Sequence, residues 1–157
     1  MKKLFFILMT AMLLVMCKSA KTTAPAAPAK AEVLYKDDFK AAPEAERTAL
    51  LKALNAGAPN YSVLILTENY KGEQIIASNV KKKLYSGYAI SNLKTGIADS
   101  ARIDNTLDTR VYDTYTKKEV VITAKEAQKH KFIYLMKKPG TGNPFVVTYS
   151  NTLKTLQ

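Results

Sequence analysis

The chain has 157 residues, 24 of them Lys or Arg and 13 Asp or Glu, for a net charge of +11. A content of 47% hydrophobic and 24% charged residues excludes an intrinsically disordered chain, and the length excludes a large two-domain catalyst. One cysteine excludes an intramolecular disulfide or a cysteine-rich metal centre, and one histidine excludes a two-histidine metal site.

Residues 1–16 read as an export leader. Lys2 and Lys3 give a positive start, and Leu4 to Met16 is apolar apart from Thr10. As a helix this run would span roughly 20 Å at ~1.5 Å per residue, short of the ~30 Å hydrocarbon core of a bilayer. The run ends at Leu14-Val15-Met16-Cys17, which resembles a bacterial lipobox. Leu14 and Val15 fit that pattern, and Met16 stands where a small residue is usual, as in the relaxed boxes of spirochaetes and some other Gram-negative groups. The resemblance implies cleavage before Cys17, lipidation of its sulfur and amine, and a bilayer as partner. Two or more acyl chains anchor stably at ~0.8 kcal/mol per buried methylene. The domain would then have no free thiol. Lys18 and Ser19 lack the aspartate that retains many lipoproteins of this kind in the inner membrane, which favours the outer membrane.

Residues 17–32 carry Ala, Lys, Thr and Pro without apolar periodicity and read as a tether at up to ~3.1 Å per residue. Lys2, Lys3, Lys18, Lys21 and Lys30 all precede residue 33, so much of the positive charge belongs to leader and tether. Residues 33–157 form a single predicted domain.

Within it, Pro43 with Glu44 and Glu46 opens an amphipathic helix carrying Leu50, Leu51 and Leu54, with Gly57 placed as its C-terminal cap. Strands are predicted over 61–67 and 73–78, joined as a hairpin by Asn69 to Gly72, and a third over 84–93. Residues 106–116 place Leu107, Val111 and Tyr115 on one face. A short strand over 119–122 runs into Thr123-Ala124-Lys125-Glu126, a capping-box pattern for a short helix. Strands over 131–136 and 145–150 flank the turn Pro139 to Pro144. The fold class is α+β, with a mainly antiparallel sheet, one N-terminal amphipathic helix and one short helix near the C-terminal hairpin.

Few residues point to chemistry. Ser91 to Gly96 contains Ser-x-x-Lys and Lys-Thr-Gly strings that resemble those of penicillin-binding proteins. They overlap on Lys94 here, where that family keeps them apart. Lys137 to Gly142 has its lysines before its glycines, and Pro139 and Pro144 remove two N–H donors, which is wrong for a phosphate loop. Asp99, Asp104, Asp108 and Asp113 lack calcium-loop spacing and read as solvated strand faces and turns. His130, flanked by lysines, reads as a surface or helix-capping residue.

The candidate anionic-contact residues are Lys81, Lys82, Lys83, Lys137 and Lys138, at predicted turns where lysines also guard sheet edges. The leading expectation is a non-enzymatic binding or structural role in the cell envelope. Its partners would be an anionic glycan, lipopolysaccharide or an acidic protein, with no nucleic acid, cofactor or metal. The alternatives are a small envelope hydrolase or transferase working through Asp104, Asp108 or Asp113 with tyrosines, and a surface adhesin. The oligomeric state is left open.

Overall fold

The computed structural model describes residues 30–140 and 142–155. The leader, the Leu14–Cys17 string and most of the tether lie outside the described residues.

Among the described residues, nine strands and two short helices follow in chain order. They are β1 (Glu32–Tyr35), α1 (Glu44–Ala53), β2 (Tyr61–Leu66), β3 (Lys71–Ser78), β4 (Lys83–Ile90) and β5 (Asp99–Asp104). Then come β6 (Thr109–Asp113), β7 (Lys118–Ile122), α2 (Ala124–Ala127), β8 (Phe132–Lys137) and β9 (Phe145–Ser150). The first sheet runs β1-β9-β8-β2-β5 and the second β4-β3-β6-β7. The β1–β9 and β2–β8 pairs are parallel and all other ladders antiparallel. The class is α+β with mainly antiparallel sheets.

Period-two alternation builds the core. Leu64 and Leu66 on β2, Ile133 and Leu135 on β8, and Phe145 and Val147 on β9 face Ile75, Ala77, Val111 and Ile122 of the second sheet. Each fully buried Leu or Ile contributes about 1.5–3 kcal/mol relative to exposure. The other face of the first sheet carries Val63, Ile65, Phe132 and Tyr134, covered by Leu50, Leu51 and Leu54 of the α1 segment. Five consecutive buried residues on β2 follow from this cover on both sides.

Several sequence expectations are corrected. Residues 61–78 do not form a hairpin: β2 pairs with β5 and β8, while β3 crosses to the second sheet. Asn69 at φ 69° and Gly72 at φ 105° redirect the chain there, and the buried Tyr70 hydroxyl donates to the Leu135 carbonyl at 3.2 Å. Helix α1 ends four residues before Gly57. Asn55 takes the left-handed position at φ 49°, and Ala56 N–H donates back to the Leu51 carbonyl at 2.8 Å, the Schellman pattern. The 106–116 stretch is a turn followed by β6, and Tyr115 is exposed. Strand β5 and strand β1, which starts inside the predicted tether at Glu32, are additions.

Candidate anionic-contact site

The five candidate lysines separate into three environments. Lys81, Lys82 and Lys83 sit at the tip of the β3–β4 hairpin and are exposed. Asn79 shapes that tip, its Oδ1 accepting from the Lys81 and Lys82 amides at 2.9 Å each. This Asx-type turn leaves the lysine side chains free to project.

Lys82 and Lys83 line a cleft of about 370 Å³ together with Leu54, Tyr61, Ser100, Arg102 and Asp104. Arg102 was not singled out by sequence reasoning. It stands on β5, donates to the Asn55 carbonyl at 3.0 Å, and packs its guanidinium 4.5 Å from the Tyr61 ring centroid. Those contacts fix the planar group while leaving other donors unassigned. Asp104 is the one acid of this lining, and hydrogen bonds from the Thr106 hydroxyl and amide hold its carboxyl below the ordinary value. Three cations against one engaged carboxylate make the cleft basic.

The cleft stands where the two sheets meet. Strands β4 and β5 are joined there by side chains: the Tyr85 hydroxyl donates to Asp99 Oδ2 at 2.6 Å. Burial, then the hydrogen bond and charge of Asp99, push the Tyr85 phenol far above its ordinary pKa, so it stays a donor. A Cβ at Gly87 would lie 2.4 Å from the Tyr85 hydroxyl, so only glycine leaves room for this ring as placed.

Lys137 belongs elsewhere, and its assignment to a surface contact is corrected. Its Nζ lies 2.6 Å from Glu73 Oε1 and 2.8 Å from Asp113 Oδ2, between the sheets. Its side chain is only 9% exposed and that of Asp113 is fully buried. Burial opposes the charged forms of all three. The paired hydrogen bonds outweigh it, lowering the two carboxyls and raising the lysine. Asp113 is therefore no solvated turn residue. The alternation Ile133, Leu135, Lys137 on β8 and Thr109, Val111, Asp113 on β6 carries the signal that would have found both. Lys138 is exposed and pairs with Glu32 at 3.2 Å.

The remaining acids hold local structure. Asp108 Oδ1 accepts from the Ala124 amide at 2.7 Å, and Asp104 Oδ1 from the Thr106 hydroxyl at 2.6 Å. Together with Asp113 on its lysine, the three carboxylates of the hydrolase or transferase alternative are each engaged by a different partner set. His130 Nδ1 lies 2.9 Å from the Glu126 carbonyl, against Tyr35 and Tyr149. Ser91 Oγ donates to the Thr67 carbonyl at 2.6 Å and accepts from the Tyr70 amide at 2.9 Å. A more apolar cleft of about 140 Å³, at Phe39, Ile97, Tyr134 and Met136, lies on the outer face of the first sheet.

No family model matches the chain, and no curated protein matches it in sequence.

Proposed function

We propose that this chain is a lipid-anchored envelope protein whose β-rich domain binds an anionic envelope component without transforming it. Cys17 would carry the acyl chains, residues 18–29 would space the domain from the bilayer, and the outer membrane is the favoured location. The observation that carries the binding half is the cleft where Lys82, Lys83 and Arg102 converge beside Ser100. Ammonium groups offer point charges, and the guanidinium offers a planar fork suited to phosphate or carboxylate. A phosphorylated or carboxylated glycan fits that chemistry.

The test compares phosphorylated and neutral forms of one sugar by calorimetry, with the protein and with Lys82→Ala/Lys83→Ala. Preference for the phosphorylated form, weakening with salt and lost in the variant, supports the reading. Exposed charges are screened over about 8 Å at physiological ionic strength, which sets the salt range. Equal binding of both sugars would overturn it. The anchor is tested apart from the cleft: Cys17→Ser should move the protein from the detergent phase to the aqueous phase. Unchanged partitioning would remove the lipid anchor and leave the cleft untouched.

A further inference from the structure

The first sheet has five strands and the second four, and each ends in an edge strand on one side of the sandwich, β1 and β7. At the other edge β4 meets β5 through Tyr85 and Asp99. Here the first sheet ends at β1 and the second at β7, and among the described residues these two end strands are not paired with each other. Strand β1 shows the consequence. Val33 and Tyr35 are in register with Val147 and Tyr149, inward-facing residues that are buried in β9. They point to the same side, yet they are 48% and 60% exposed. Tyr35 stacks on Tyr149 and lies against His130, whereas Val33 is left half exposed beside the end strand of the second sheet.

A groove of about 570 Å³ runs between the two free edges. Ala31 and Val33 form one wall and Val120 part of the other, with Lys30, Lys117 and Lys118 at the rim. The outer edge of β7 lines it, and among the described residues no other strand pairs with that edge. The Glu119 carbonyl accepts from Asn143 Nδ2 at 2.8 Å, so that residue faces away from β6. The two-residue period turns the amide and carbonyl of Val121 to the same free edge. Glu119, the carboxylate of this lining, is already paired with Arg110. The rim therefore presents positive charge beside a strand edge to which, among the described residues, no further strand is paired.

We propose that this groove receives an extended acidic segment of a partner protein, added to β7 as a fifth strand of the second sheet and covering Val33. Main-chain hydrogen bonds to the free edge would supply affinity, and side chains at alternate positions would supply selectivity. Apolar side chains on one face would meet Val33 and Val120, and carboxylates would meet the lysines. Charge selects this occupant. Residues 18–29, next to the groove in sequence, carry Lys18 and Lys21 and no acid, so they match the rim instead of complementing it. A second copy paired edge to edge would bring two sets of the same lysines together. The inference does not rest on the basic cleft, which lies at the opposite edge.

The test uses the full chain as isolated from membranes or solution, and three fluorescein-labelled heptapeptides: alternating Glu and Val, alternating Lys and Val, and the Glu–Val peptide with a central proline. Fluorescence anisotropy should show binding of the Glu–Val peptide, weakened at least tenfold by the proline and at least tenfold by the Lys–Val exchange. Lys30→Glu/Lys118→Glu should reverse the preference between the Glu–Val and Lys–Val peptides. Both positions are exposed, so the variant is expected to fold, and an unchanged melting temperature would establish this. Failure of the Glu–Val peptide to bind would overturn the proposal and leave the lysines as edge protection. Indifference to the proline, or self-association that excludes the peptide, would overturn it equally.

Discussion

Lys137 on β8 reaches across the sandwich to Asp113 on β6, Nζ to Oδ2 at 2.8 Å, and so joins the two sheets through a buried charge pair. Glu73 on β3, the neighbour of β6 in the same sheet, completes the node. Asp113 also accepts from the Tyr115 and Thr116 amides, which ties the node to the turn between β6 and β7. A buried charge costs several kcal/mol in desolvation and persists only with its bonds satisfied, so this cluster favours one relative placement of the sheets.

Removing the lysine alone should therefore be expensive. Lys137→Met is expected to destabilise the domain by about 3–5 kcal/mol, because two carboxylates stay buried without their cation. Lys137→Met/Glu73→Leu/Asp113→Asn should regain a large part of that loss, since no uncompensated charge remains. Chemical denaturation of the two variants checks the order. A triple variant less stable than the single one would show that the node stabilises beyond charge compensation.

The same node sets a pH window. Glu73 and Asp113 are held below their ordinary values, so their contribution is complete above about pH 5 and is lost as pH falls through the lowered folded values. Lys137 is raised, so its contribution is present below about pH 10.4 and is lost as pH climbs through the raised value. Melting temperature should be flat with respect to this cluster between those limits and fall outside them. In the triple variant both falls should be shallower, which differential scanning calorimetry across pH would register.

The short helix α2 gives a contrast between two caps. Thr123 occupies the N-cap position, yet its side chain makes no capping hydrogen bond. Asp108, sixteen residues before Ala124, instead accepts from the Ala124 amide at 2.7 Å. Asp108→Ala should cost about 0.5–2 kcal/mol, the ordinary range for a lost cap, and Thr123→Ala clearly less. Urea midpoints of the two variants measure this directly. A larger effect at Thr123 would restore the capping box suggested by the sequence.

That contrast also shows what the sequence made legible. Local chemistry was readable: Pro43 opening a helix, the apolar stretches becoming β2, β8 and β9, and lysines at the β3–β4 tip. Tertiary choices were not. Nothing in residues 61–78 reveals that β2 and β3 belong to different sheets, because a tight turn and a crossing share the same turn residues. Asp108 fits a loop as well as a distant cap. Lys137 sat in a basic pair before a Pro-Gly turn, and its run of like neighbours hid the alternation that placed it inward. Arg102 escaped notice because β5, with Ser100, Arg102 and Asp104 on its outer positions and Asp99 at its start, lacks the β-branched density that marks a strand.

The last prediction concerns the seam that supports the basic cleft. Tyr85 and Gly87 lie on the same face of β4, and the phenol occupies the space a Cβ at Gly87 would need, 2.4 Å away. The colliding atom is the far end of a side chain, so Gly87→Ala should not unfold the domain. It should displace the ring and break the 2.6 Å hydrogen bond to Asp99 on β5. Tyr85→Phe removes that hydrogen bond without displacing the ring. Each variant should lose about 0.5–1.5 kcal/mol from the bond, with Gly87→Ala losing more through disturbed packing. Because β4 carries Lys83 and β5 carries Arg102, the loosened seam should also weaken phosphorylated-sugar binding more in Gly87→Ala than in Tyr85→Phe. Calorimetric affinities and melting temperatures on both variants decide it. A Gly87→Ala protein with wild-type stability would mean that Tyr85 does not hold β4 to β5.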